Sequence, residues 1–259
     1  MALKLKLKMK GISKIIKGAF FFAIGLTLGI LPKSKFKKAI RYSIVRLIKE
    51  APLRIMLGKG DTVVQVGAVV KGDIFPMAKI VGSSGRVIAV EPHPDNIKAI
   101  KDRLREKSIK NVVLIAKGAW SKKGKQTLLV HPDNLACSRI ALTGIEHDRY
   151  LTPEEYKQTM DIEVDTLDNI LAELGVQNVD LIKITVAGVE LEVLGGMQSI
   201  LETSKQLWIK AHSIKDGQPV NRIIAARLAK NNFKVIVMKR TATSDGLKRL
   251  GDVYAIHNC

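Results

Sequence analysis

From Asp61 to His257 short β-branched runs alternate with longer stretches of helical periodicity, and this alternation constrains the fold more than any other feature. Thr62–Val66, Arg86–Val90 and Asn111–Ile115 read as strands, with a charged helix from about Pro94 to Lys107. Val179–Ile184 and Gln206–Ala211 follow, separated by a helix from about Val189 to Glu202. A helix over about 220–230 then precedes Phe233–Met238 and Asp252–His257. Strands divided by helices pair in parallel through right-handed crossovers, with helices covering both faces of one sheet. The last two runs have no helix between them and are expected to form an antiparallel pair at one edge.

The charge divides the 259 residues into an arm and a body. Residues 1–60 hold fifteen Lys and Arg against Glu50 alone, so +14 of the formal +19 lies there. Gly18–Pro32 carries no charge, and as a helix it would cover about 22 Å, short of the roughly 30 Å of a bilayer's hydrocarbon. Ile40, Ile44, Leu47, Ile48 and Ala51 recur at helical spacing while Lys37, Lys38, Arg41 and Lys49 fall largely elsewhere. Leu3–Lys10 alternates apolar and cationic with period two. A signal peptide shares this outline, but no small-x-small cleavage site follows.

These features mark residues 1–59 as a basic, helical arm on a body over 60–259. The arm is expected to anchor a cytoplasmic protein peripherally on an anionic membrane surface or on a membrane-protein partner. Nucleic acid is a weaker alternative, because aromatics are 5% and are not interleaved with the basic residues. Cys137 and Cys259 form no disulfide framework and no metal-binding spacing. A reducing compartment and no structural metal follow.

Ligands of such sheets bind beyond the carboxyl ends of the strands where the strand order reverses, here the turns after Val66, Val90 and Ile184. In Gly67-Ala68-Val69-Val70-Lys71-Gly72, Gly67 suits a tight turn and close approach of a ligand to backbone N–H groups. Glu91, some twenty-odd residues on, is placed to accept both hydrogen bonds of a ribose diol; its plainer role is an acid at a helix N-terminus. His93, beside Glu91, and His212, at the end of a central strand, are candidate bases, each equally readable as structural. His257 reads as buried in an edge strand and without a role. Asp133, Asn134 and Ser138 fall in a loop able to cover the cleft.

Four segments together go beyond a generic α/β pattern: Gln65–Ala68, Val90–Asn96, Val164–Asp168 and Asp180–Leu194. From about Gly60 to Cys259 the chain resembles the FkbM-type methyltransferases. The resemblance implies a Rossmann-like, seven-stranded class I methyltransferase sheet, S-adenosylmethionine as cofactor and methyl transfer commonly to a hydroxyl. It places Gly67 and its turn toward the methionine part of the cofactor and Glu91 on the ribose, so that Gln65, Gly67, Ala68, Gly72 and Glu91 are the candidate cofactor-binding residues; the candidate catalytic base is His212, from its place at a strand end, and the methyl acceptor stays open. The chain departs from the family pattern at Gln65, Thr185, Ala187 and Lys210, where the family has acids. With Lys71 and Lys210 near a sulfonium, like charge should weaken cofactor binding. Two functions therefore stand: an O-methyltransferase at a membrane, and a catalytically silent scaffold docked by its arm.

Overall fold

The computed structural model describes residues 50–140, 142, 145–147, 156, 158–211, 213–239 and 251–258. The chain divides into two compact units, Met1–Gly58 and Lys59–Cys259. In the first, residues 50–56 are helical, and Arg54 donates to Glu50 one turn earlier at 3.0 Å. The period-two start, the uncharged stretch 18–32 and the basic amphipathic helix before residue 50 lie outside the described residues, as does His212.

Along the second unit run β1 (Thr62–Val66), α1 (Ile74–Val81), β2 (Arg86–Val90), α2 (Pro94–Glu106), β3 (Val112–Ile115), β4 (Gly118–Ala119) and β5 (Gly124–Val130). Then come β6 (Arg139–Ile140), β7 (Ile145–His147), β8 (Gln158–Asp165), α3 (Leu167–Glu173), β9 (Leu181–Ile184), α4 (Glu190–Gly195) and α5 (Gln198–Thr203). The unit closes with β10 (Gln206–Ala211), β11 (Ser213–Lys215), β12 (Gln218–Pro219), α6 (Val220–Lys230), β13 (Phe233–Lys239) and β14 (Gly251–His257).

Seven strands form the main sheet in the order β3-β2-β1-β9-β10-β14-β13. The first five are parallel, and β14 runs antiparallel to both of its neighbours. This is the parallel α/β sheet that the alternation implies, with the seven-stranded Rossmann-like order that the family resemblance implies. β13, not β14, is the edge strand, so His257 lies in an interior strand, half-buried and edge-on to Phe233 at 4.8 Å. The strand order turns back between β1 and β9, which puts the carboxyl ends of β1, β2 and β9 around one crevice.

The central parallel strands are buried on both faces. Val64, Val66, Ile88, Val90, Ile182 and Ile184 share a core with Leu167, Ile170 and Leu171 of α3, Val193 and Leu194 of α4, and Ile224 and Leu228 of α6. Each such side chain contributes about 1.5–3 kcal/mol when fully buried. The His93 imidazole caps α2 by accepting from the Asp95 N–H, Pro94 opens its first turn, and Asp95 complements its dipole.

Two features depart from the expected pattern. The single helix over Val189–Glu202 is two helices, α4 and α5, broken at Gly195–Gly196. A β-carbon at Gly196 would collide with the Trp120 carbonyl, so the chain passes there only as glycine. Residues 118–165 add a four-stranded sheet, β4-β8-β5-β6, and β12-β11-β7 form a third. No helix among the described residues is long and apolar enough to cross a membrane, and no group of three acidic, His or Cys side chains among them is placed to hold a metal.

Candidate active site

A cavity of about 140 Å³, partly open to solvent, lies at the carboxyl ends of β1, β2 and β9. Val66 and Gly67 come from β1 and its turn, Glu91 and Pro92 from the end of β2, and Thr185, Val186 and Ala187 from the end of β9. The four-stranded sheet supplies the opposite wall through Leu128, Arg139, Ile140 and Ile162, with Leu135, Ala136 and Ser138 from the loop before β6.

Glu91 is buried yet lines this cavity. Its Oε1 accepts from the His93 N–H at 3.0 Å and from Asn96 Nδ2 at 3.1 Å. Two donors thus fix the carboxylate through Oε1, and no described residue hydrogen-bonds Oε2. Burial pushes the Glu91 carboxyl up to about 7 against the pull of those two hydrogen bonds, because no cation accompanies it.

Gly67 adopts φ +77°, and a β-carbon there would collide with the Thr185 carbonyl. The glycine is required by the approach of β9, and its N–H is already spent on the Val90 carbonyl at 3.0 Å. The expected exposure of that N–H to a ligand therefore does not occur, since the sheet's hydrogen bonding continues one residue past β1. Gln65 is buried beneath the turn, with Nε2 donating to the carbonyls of Val66 and Gly67 at 3.0 and 3.2 Å. Ala68 is buried and Gly72 closes a turn onto the Val69 carbonyl at 2.8 Å; neither these two nor Gln65 lines the cavity.

At the β9–β10 end, Lys183 is fully buried. Its ammonium donates to Asp73 Oδ2 at 2.6 Å and Thr185 Oγ1 at 3.0 Å, and lies 4.4 Å from the Trp208 ring centre. Burial holds Lys183 down to about 8 although Asp73 favours its charged form. Lys210, half-buried and lining the cavity, sits 5.9 Å from the same ring. Trp208 Nε1 donates to Asp252 at 2.8 Å, and its ring stacks on Tyr254 at 5.1 Å. Burial and the nearby Asp252 and Asp73 carboxylates raise the Tyr254 phenol far above its ordinary value.

A family model described as the methyltransferase FkbM domain matches residues 65–235. The chain belongs to this family. No curated protein sequence matches it. Among solved structures it is similar to a Streptococcus mutans protein in complex with SAH (11% identity, 87% of this chain and 99% of that one, TM-score 0.48). Others are an rRNA methylase from Streptococcus thermophilus (10%, 80% and 92%, TM-score 0.46) and a SAM-dependent methyltransferase from Aquifex aeolicus (16%, 80% and 88%, TM-score 0.43). At TM-scores below 0.5 none of these likenesses bears on what the chain binds.

S-adenosylmethionine, the cofactor of this methyltransferase family, can be tested against the cavity half by half. The nucleoside half fits: Glu91 lines the cavity with Oε2 unbonded by any described residue, and Val66, Val90 and Ala119 give an apolar bed. The cationic half meets no carboxylate besides Glu91 among the described lining residues, and it meets Lys210. Thr185, Ala187 and Lys210, three of the four positions where the FkbM pattern has an acid, line the cavity, and the fourth, Gln65, lies under it. Lys71 is exposed and off the cavity, so of the two lysines expected beside the sulfonium only Lys210 is there.

Sequence reasoning missed Arg139 and the Lys183–Asp73 pair, whose members are 110 residues apart, while Ser138 lines the cavity as its loop was expected to. His93 lines a second cavity with His131, and Leu135 lines both. Asp133 and Asn134 are exposed, their N–H groups donating to His131 Nδ1 at 3.2 and 3.1 Å; Leu135, Ala136 and Ser138 carry that loop over the cavity instead.

Proposed function

We propose that this FkbM-family chain binds S-adenosylmethionine in the cavity and transfers its methyl group to an oxygen of an acceptor. The observation that carries the reading is Glu91: a buried carboxylate that lines the cavity at the topological switch point, with both of its hydrogen bonds from described residues made through Oε1. The cofactor supplies an electrophilic methyl group, and orientation is the protein's main contribution. Glu91 would hold the ribose hydroxyls. Leu128, Leu135, Ile140 and Ile162 exclude water from the far wall, and the hydroxyls of Ser138 and Thr185 are available to orient an acceptor. His212 is the candidate acceptor of the hydroxyl proton; His212→Ala should lower kcat by about 10²–10⁴ and remove a limb of the pH–rate profile near neutrality.

Calorimetry of the full chain with S-adenosylmethionine and S-adenosylhomocysteine tests the reading, and no heat at millimolar ligand would end it. A second reading, a member that binds nucleoside without turnover, is favoured by the lack of any imidazole or second carboxylate among the described lining residues. Binding heat without methyl transfer to any hydroxyl acceptor would select it.

The arm belongs to the same proposal. With fifteen basic residues in 1–60, it would hold the chain peripherally on an anionic membrane or a membrane-protein partner. Deleting residues 1–58 should abolish sedimentation with phosphatidylserine vesicles; unchanged sedimentation would remove the membrane from the reading. Retention on RNA falling steeply with salt would assign the arm to nucleic acid instead.

A further inference from the structure

Two lysines approach the same indole, and among the described residues only one of them has a counterion. Lys183 is paired with Asp73 at 2.6 Å and sealed from solvent. Lys210 makes no hydrogen bond or ion pair with a described residue, and its ammonium lies 5.9 Å from the centre of the Trp208 ring. Asp252 is its in-register partner on β14, but that carboxylate is engaged by Trp208 Nε1. Lys210 nevertheless lines the cavity, as does Arg139, which is 8% exposed and held with its guanidinium carbon 5.5 Å from the centre of the Tyr156 ring. Against these two cations the described lining residues offer one carboxylate, Glu91.

We infer that the Lys210 side of the cavity is an anion subsite, taking a carboxylate or phosphate group of the bound ligand. The inference deepens the methyltransferase reading and rests on it for the identity of the neighbouring nucleoside. Three observations support the chemistry. A half-buried ammonium without a counterion gains more from an incoming anion than one already paired. Glu91 is half-protonated near neutral pH and offsets little of the positive charge. Thr185, at the end of β9 beside β10, places a hydroxyl on the same lining, able to donate to one of the anion's remaining oxygens. The anion has two possible sources: the amino-acid carboxylate of the cofactor, or an acidic group on the methyl acceptor.

The test is calorimetry of the full chain and its Lys210→Gln variant at neutral pH with three probes: 5′-methylthioadenosine, S-adenosylhomocysteine and inorganic phosphate. Reading the difference between the two chains cancels phosphate bound by the basic arm. If the cofactor's carboxylate fills the subsite, Lys210→Gln weakens S-adenosylhomocysteine about tenfold and leaves 5′-methylthioadenosine unchanged, and phosphate competes with the former alone. If the acceptor supplies the anion, S-adenosylhomocysteine is unaffected, and phosphate binds alongside it in a manner that Lys210→Gln reduces about tenfold. Lys210→Arg, which keeps the charge, should retain either behaviour and guards against a misfolded Gln variant. Affinities for phosphate and S-adenosylhomocysteine both within twofold of the unaltered chain would overturn the subsite. Failure of 5′-methylthioadenosine to bind, with Lys210-dependent phosphate binding intact, would instead remove the nucleoside reading and leave the subsite standing.

Discussion

The two ends of the crevice solve the same problem in opposite ways. At the β2 end an acid is buried with no cation beside it, so desolvation raises Glu91 to about 7 and the proton is the cheapest partner. At the β9–β10 end a base is buried, and desolvation lowers Lys183 to about 8, yet Asp73 is supplied at 2.6 Å. One end keeps a group poised for a ligand; the other locks its charge into the fold through the first residue before α1. The lesson is that burial alone does not mark a binding group. What distinguishes Glu91 is an oxygen left over after its structural bonds are made.

Gly67 joins the two ends, and changing it should have the largest effect. Gly67→Ala forces a β-carbon onto the Thr185 carbonyl at φ +77°, where only glycine is unstrained. The strands β1 and β9 would have to separate, at a cost of about 3–5 kcal/mol. Thermal unfolding should show a Tm lowered by about 10 °C or more. An unchanged Tm would mean that the turn relaxes freely and that the two ends are not rigidly coupled.

Glu91→Gln should separate function from stability. Losing a charge-assisted acceptor is expected to weaken 5′-methylthioadenosine by about 10–100-fold, from about 1.5–3 kcal/mol per such bond. The fold should gain. Because Glu91 titrates higher folded than unfolded, the native state binds more protons between about 4.5 and 7, and its stability contribution is lost as pH rises through that window. The glutamine variant lacks the loss, so at pH 8 relative to pH 5 it should gain on the order of 2 kcal/mol over the unaltered chain in urea unfolding. Ligand affinity has the opposite slope: a ribose diol donates to the carboxylate, so the unaltered chain should bind up to about tenfold tighter at pH 8 than at pH 6. A flat affinity profile would place the ribose elsewhere.

This contrast was only half legible in the sequence. Continuous β-branched runs such as Val63–Val64 and Val87–Ile88 announce strands buried on both faces, and Glu91 stands out because it follows such a strand. The second sheet did not show itself: Gly124–Val130 and Gln158–Asp165 mix exposed polar and buried apolar positions, and they pair with each other across the segment that holds β6 and β7. The Gly195–Gly196 pair was a readable breaker inside the expected helix. The spent N–H of Gly67 was not readable, because it depends on Val90 of another strand. Nor was Lys183 separable by sequence from the hydrophobic strand that carries it, since its partner Asp73 is brought in by tertiary packing.

Lys183→Met probes the other end and should give a smaller change of opposite sign. With its folded value below its unfolded one, Lys183 leaves the native state binding fewer protons between about 8 and 10.5, so stability rises with pH across that window. The unaltered chain should therefore gain on the order of 1–2 kcal/mol over the methionine variant between pH 7.5 and 10. Equal slopes would show that Asp73 holds Lys183 fully protonated, making the pair an ordinary structural ion pair.

Trp208→Phe is the mildest cut, and it tests how the charge at that end is divided. The ring over Lys183 and the stack on Tyr254 survive, while the hydrogen bond from Nε1 to Asp252 at 2.8 Å is lost. That bond to a carboxylate is worth about 1–2 kcal/mol, a Tm change of about 2–5 °C for a unit of this size. Asp252, freed from the indole, is then the in-register neighbour of Lys210 and can turn toward its ammonium. Lys210-dependent phosphate binding should weaken about twofold, because an internal carboxylate now competes with the incoming anion. If phosphate affinity is untouched while Tm falls, Asp252 stays where its other contacts hold it, and the free charge of Lys210 owes nothing to Trp208.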